Sequence, residues 1–259
     1  MKNKFIDKYM DKHLNKRFFR GVFAVTEKNM RIYYTKPPVI IFGLLFPLFM
    51  FLAFYLGRKL DFSTFFPALL AMFLFFIASS VGPLITPWEK QARTYERLLA
   101  FPVTIDTIIW GDALAGMCFG IMINLVILAI GLIFFHYHLR PLPLVVGLFL
   151  GALCFSTIGV FLASPSVPNP SHVMMLSSLV RFPLIFISGI FIPLNHLQGV
   201  GKAVSYLSPL TYLVDIFNFS FGSESHLSLA LDFPMLLLFS LFFIALSSRL
   251  HKKNLMKGL

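Results

Sequence analysis

Charged side chains are missing from long stretches of this 259-residue chain, and each stretch has the length of a bilayer crossing. No Asp, Glu, Lys or Arg lies between Lys36 and Arg58, Asp61 and Glu89, Asp112 and Arg140, Arg140 and Arg181, or Asp232 and Arg249. A helix rises ~1.5 Å per residue, so about 20 apolar residues cross a hydrocarbon core ~30 Å thick. Only 13% of residues are charged, against roughly 25% in soluble domains. Mean hydropathy is +0.81, which excludes an ordinary soluble domain. Cysteine is nearly absent. Cys118 and Cys154 both fall in apolar runs without metal-ligand spacing or a redox motif, and read as small buried hydrophobes. A phosphate-binding loop, G-x-x-x-x-G-K-[ST], is missing too: the Gly201-Lys202 pair is followed by Ala203 and lacks the first Gly. The histidines make no metal site, since His136 and His138 point to different helix faces and the others are scattered. No cleavable leader is expected, because residues 1–36 are polar and basic without an apolar core.

What is present is a polytopic, all-α membrane protein. Six spans are expected at about 38–56, 62–87, 104–135, 141–163, 173–194 and 228–249. The prolines of 164–171 end the fourth. Residues 1–13 are polar and expected to fray. From 14 to 34 the pattern is amphipathic, with Phe18, Val22 and Val25 at helical spacing and Phe19 and Phe23 beside them. That predicts a helix lying in the membrane interface; the alternative is a helix packed on the rest of the protein.

Lys and Arg set the orientation. With the N-terminus inside, inner segments hold 17 and outer loops hold 4, with Arg181 left inside a span. Both termini are therefore expected in the cytoplasm, and the net charge of +11 reflects this bias and anionic lipid rather than nucleic acid. The domains expected are an arm (1–36), a six-span domain (37–250) and a cytoplasmic tail (251–259).

Two segments are not simple loops. Residues 88–102 are charged and helix-prone. Residues 194–221 are mostly apolar, yet broken by Gly199, Gly201 and Pro209. A pair of short helices re-entering the outer leaflet would satisfy their backbone; an external loop on the helix ends is the alternative.

The first segment reads Glu89-Lys90, then Thr94-Tyr95-Glu96-Arg97-Leu98-Leu99, then Phe101-Pro102-Val103. The second reads Ser188-Gly189-Ile190-Phe191-Ile192-Pro193, then Ser208-Pro209-Leu210-Thr211-Tyr212-Leu213-Val214-Asp215. Both resemble motifs of the ABC-2 permeases, the membrane subunits of a class of ATP-driven exporters. Arg93 stands where the family usually has Gly, and Asn218 where a basic residue often follows. The resemblance implies a non-catalytic permease subunit in a prokaryotic cell membrane, working as a homodimer or related heterodimer with two ATPase subunits. ATP and magnesium would bind those partners, and this chain would hold no cofactor. It further implies that 88–102 is a coupling helix docking on the ATPase through Glu89, Arg93, Thr94, Tyr95, Glu96, Arg97, Leu98 and Leu99. A charged linker is the alternative. Ser188, Gly189, Pro193, Pro209, Thr211, Tyr212 and Asp215 would shape the outer hairpin. The cargo class is a hydrophobic or amphipathic drug, antibiotic, lipid or glycan-lipid.

Asp112 and Arg181 each sit about nine residues into a span, ~14 Å deep. They are expected to pair and pin the third span to the fifth, or to bind an anionic part of a substrate. Gly116-x-x-x-Gly120 and Gly147-x-x-x-Gly151 allow close helix approach, within the subunit or at a dimer seam. An intramembrane protease fits poorly: Phe186 precedes Ile187-Ser188-Gly189, and Ile109 precedes Trp110-Gly111-Asp112, where such enzymes want a leading Gly. A secondary transporter or channel would want more intramembrane ionisable residues and an internal repeat.

Overall fold

The computed structural model describes residues 2–34, 36–58, 62–101, 103–134, 137, 139–164, 169–191, 194, 198–223 and 225–257. Pro102, His136, His138, 165–168 and Pro193 lie outside them, as does the side chain of Leu99. Among the described residues there is no strand. The order is α1 (Lys2–Ile32), α2 (Pro37–Ile40), a π-turn (Ile41–Leu45), α3 (Phe46–Arg58), α4 (Phe62–Ser80), α5 (Gly82–Gln91), α6 (Tyr95–Leu99), α7 (Ile105–Phe134), α8 (Pro141–Leu162), α9 (Pro170–Phe186), α10 (Val200–Ser205), α11 (Pro209–Ser220) and α12 (Leu229–Lys257).

Among the described residues, four helices are long and apolar enough to cross a bilayer: Phe65–Gln91, Ile105–Phe134, Pro141–Leu162 and Leu229–Asn254. The helices Lys16–Ile32 and Pro37–Ala53 meet at 90° and give a fifth if the bent pair is one span. Pro170–Phe186 is apolar but shorter.

Proline and glycine decide where these helices begin and bend. Pro37, Pro141, Pro170 and Pro209 open α2, α8, α9 and α11, where a missing N–H costs nothing. Pro47 cannot donate to the Gly43 carbonyl. Just before it the helix widens into a π-turn, with Phe46 N–H donating to Ile41 O.

The layers follow from burial. Helix α4 is apolar all round and continues into α5; the apolar window of that stretch is wholly buried, whereas α7 and α12 bury 17% of theirs. Helix α8 packs against α4, α5, α7, α11 and α12, and so sits at the centre. Leu125, Val126 and Ile130 of α7, with Leu238, Leu241 and Phe242 of α12, form exposed apolar faces suited to lipid.

Several expectations need correction. The second span is interrupted at Val81, where Gly82 and Pro83 follow. The fifth helix ends at Phe186, not 194, because a turn over 187–189 with Gly189 at φ 86 follows it. The arm is helical from Lys2, and α12 runs on to Lys257 instead of giving way to a tail. Lys252 Nζ binds Asp106 Oδ2 at 2.6 Å and Asn254 Nδ2 donates to Ser164 O at 2.6 Å, holding that end against α7 and α8. Both Gly-x-x-x-Gly pairs are used within the subunit: Gly116 and Gly120 face Ala78, while Gly147 and Gly151 face Ile216 and Leu213 of α11.

At Gly82 and Gly159 the close approach is between main chains. A Cβ on Gly82 would lie 2.7 Å from the Gly159 carbonyl carbon, and one on Gly159 would lie 2.9 Å from Ser79 O. Backbone cannot move aside as a side chain does. Gly159→Val is therefore expected to cost about 3 kcal/mol, the upper end of the overpacking range, read as a lowered thermal unfolding midpoint in detergent.

Candidate functional site

The C-terminal end of α1 builds the site. Val22 and Val25 bury against α7, where Gly111 leaves room, and Thr26 Oγ1 donates to Gly111 O at 3.1 Å. The same stripe continues through Asn29 and Tyr33, both buried. Phe19 and Phe23 point away, 55% and 66% exposed. The single apolar face expected for the arm is thus divided: Val22 and Val25 pack on α7, and the phenylalanines stay free.

Where α1 meets α5 and α7, charges are buried together. Lys28 Nζ forms an ion pair with Glu89 Oε1. Tyr33 Oη donates to the same oxygen at 3.3 Å. Burial first, and then the Glu89 charge, raise the Tyr33 phenol well above its ordinary pKa, so it stays a donor. Asn29 Nδ2 donates to Asp112 Oδ1 at 2.6 Å. The Tyr33 and Trp88 rings stack at 5.7 Å, and Lys36 Nζ sits 4.4 Å from the Trp88 ring centre.

Beyond Glu89 the expected continuous helix over 88–102 breaks. Thr94 N–H donates to Glu89 O at 2.9 Å and Arg93 N–H to Lys90 O at 3.1 Å, with Arg93 at φ 54. This is a Schellman cap, whose C′ position favours glycine. It accounts physically for the departure at Arg93: the turn keeps its left-handed geometry with a non-glycine residue in it. The polypeptide then makes only one short helix, α6. Tyr95 is buried, with its phenol pushed up to about 12, mainly by burial and next by the Asp112 charge. Arg93, Thr94, Glu96 and Arg97 are exposed, Leu98 is half-buried and Phe101 is exposed. A groove of about 400 Å³ lies between arm and turn, bordered by Ile32, Lys36, Thr94, Arg97, Leu98 and Phe101.

The residues expected to dock are therefore divided as well. Glu89 and Tyr95 are buried in the chain and anchor the turn. Nor does the structure bring Asp112 and Arg181 together. Asp112 turns to Asn29, and Arg181 Nη2 donates to Ser79 O at 3.0 Å. The residues that reasoning from sequence missed are Lys28, Asn29, Tyr33, Lys36 and Trp88. The i, i+3, i+7, i+11 run of Val22, Val25, Asn29 and Tyr33 was the available signal, hidden because Asn29 reads as polar.

At the other end of the molecule the second motif is structural. Ser188 Oγ donates to Ile185 O and Ser208 Oγ to Leu184 O, fixing the elbow after α9. Pro209 opens α11, Thr211 Oγ1 donates to Ser205 O at 2.6 Å, and Tyr212 Oη donates to Tyr206 O at 2.9 Å. Asp215 accepts from His226 N, Leu227 N and Ser225 Oγ at 2.7 to 3.1 Å, holding the loop that leads into α12.

The sequence profile of the family described as ABC-2 type transporter matches residues 20–221, from the arm through α11. The chain belongs to the ABC-2 type transporter family. It is 27% identical over 151 residues to the inner membrane transport permease YadH of Escherichia coli (strain K12), covering 58% of this chain and 59% of that one. The YadH of Shigella flexneri matches equally. Nodulation protein J of Rhizobium meliloti (strain 1021) is 27% identical over 131 residues, 49% of this chain and 48% of that one. The chain thus spans about three-fifths or less of the relatives it matches. Family and apolar helices agree on a multi-pass membrane protein.

Two outcomes follow from the junction. Arg93→Gly removes the left-handed strain and is expected to stabilise the protein by about 1 kcal/mol, seen as a raised unfolding midpoint. Glu89→Ala strands the Lys28 cation in a half-buried site, at a cost of about 1–3 kcal/mol. Its signature is local: amide exchange should accelerate across 16–34, while α8 keeps its protection.

Proposed function

We propose that this chain is the membrane-spanning permease subunit of an ATP-binding-cassette exporter, driven by separate ATPase subunits that bind ATP and magnesium. Two copies, or one copy with a related chain, form the translocation path. On this reading the six crossings are α2 with α3, α4 with α5, α7, α8, α9 with the turn after it, and α12. The Lys and Arg bias puts both termini, and the turn after α5, in the cytoplasm of a prokaryote. The α10–α11 pair then lies on the outer side as the re-entrant hairpin.

One observation carries the coupling role. The turn at Arg93 leads a short, polar helix out of the buried end of α5, with its inward residues anchored and its outward ones unused. Arg93, Glu96 and Arg97 offer charge, and Leu98 and Phe101 offer apolar area. That is the mixture of rim and core that protein interfaces use. An ATPase closing on nucleotide would push on this turn, and the Schellman cap and the Lys28–Glu89 pair would pass the displacement to α5 and the arm together. Nucleotide state would so bias the two access states of the path. Lys16, Arg17 and Arg20, exposed near Phe19 and Phe23, suit the arm to an anionic lipid surface.

The cargo is a hydrophobic or amphipathic compound. Supporting this, Ile41, Phe42, Leu45, Phe46, Phe49 and Met50 line a shallow apolar concavity of about 440 Å³ beside the π-turn.

Co-purification tests the docking surface. Arg97→Glu with Phe101→Asp is expected to abolish recovery of the ATPase while the permease stays folded, and Lys253→Glu on α12 to leave recovery unchanged. Retention of the ATPase by the double variant would sink the assignment.

A further inference from the structure

Arg181 is the buried cation that the junction does not use. It projects from α9 at 3% exposure, and no carboxylate lies within ion-pair distance of it among the described residues. Its acceptor, the Ser79 carbonyl, has a particular history. In an α-helix that carbonyl accepts from the N–H of residue 83. Residue 83 is proline and has no N–H. The helix breaks there: Leu84 N–H donates to Val81 O at 2.8 Å and Ile85 N–H to the same oxygen at 3.3 Å, two residues past Ser79. A main-chain carbonyl at bilayer depth finds no water, so it needs a donor from another helix. Arg181 Nη2 supplies it at 3.0 Å. The other side of the break is closed by the main chain of α8 at Gly159.

We infer that Arg181 is a positioning residue: its guanidinium stands in for the N–H that Pro83 lacks, holds the break between α4 and α5 in one geometry, and thereby aims the turn at Arg93. The hydrogen-bond half of this inference stands on the geometry alone; its consequence for transport rests on the permease reading above.

The test is a double-mutant cycle on the full chain, alone in detergent and then reconstituted with its ATPase. Arg181→Met is expected to lower the unfolding midpoint and to reduce ATP-driven export by about tenfold, the scale of one stranded buried polar group. Arg181→Lys, which keeps a long-reaching donor, retains most of both. Pro83→Ala restores an N–H at position 83, so in that background Arg181→Met lowers the midpoint by less than half as much and exports more than Arg181→Met alone. If Arg181→Met does not fold, recovery of monodisperse protein by adding Pro83→Ala supports the inference equally. Additive midpoints overturn the stand-in role whatever drives transport. Non-additive midpoints, with the double variant folded, loaded with ATPase and still inert, overturn the positioning role and place the cation on an anionic group of the cargo. Export by wild type with no ATPase bound would sink the permease reading and leave the midpoint cycle intact.

Discussion

In hydrocarbon no water completes a broken hydrogen-bond ladder, and this constraint settles where the helices of this chain bend and what must stand beside each bend. The main-chain donor lost at Pro47 is followed by a change of helical pitch in the preceding turn. The one lost at Pro83 is replaced by a side chain from another helix. Several buried hydroxyls follow the same rule. Ser79, Ser177 and Ser240 return their protons to carbonyls one turn back, and Ser156 reaches across to Ala113 O on α7. The centre of the molecule is therefore built from small residues. They let main chains touch, and their hydroxyls find acceptors without a cavity.

Three of the buried charged residues are compensated in three different ways. Glu89 has a cation and a phenol, Asp112 has an amide, and Arg181 has a main-chain carbonyl. A buried ion pair is weak evidence for stability, since desolvation offsets much of its attraction. Its value at Glu89 is geometric. Lys28 approaches from the arm, and the pair ties α1 to α5. The stacked Tyr33 and Trp88 rings, capped by Lys36, repeat that tie with apolar surface.

The class of the molecule was legible in the sequence because hydropathy reports length directly. Spans three and four were expected at 104–135 and 141–163 and are found as Ile105–Phe134 and Pro141–Leu162. Contacts were not legible, for two physical reasons. Depth along a span was taken for proximity, so Asp112 and Arg181 were expected to meet; helix packing instead turns one toward α1 and the other toward the break in α4. Exposure of charge was likewise taken for granted, so Glu89 was assigned to a partner when its own arm covers it. Arg93 shows the converse: the departure from the family's glycine was visible, but its meaning, a left-handed cap that ends α5, requires the backbone.

Under the proposed coupling role, these particulars would give displacement a definite path. The Schellman cap ties the turn at Arg93 to Glu89, and Glu89 is tied to Lys28, so a push there would be passed along α5 to the break at Val81 or through the arm to α7. At the break, Gly159 offers main chain on one side and Arg181 a single hydrogen bond on the other. The first contact resists compression and the second can be remade at a new angle, since guanidinium donors fan out from one plane. A break that is hard on one face and adjustable on the other would hinge in one direction. That asymmetry is a property of the residues themselves, Gly against Gly and Arg against a proline-freed carbonyl.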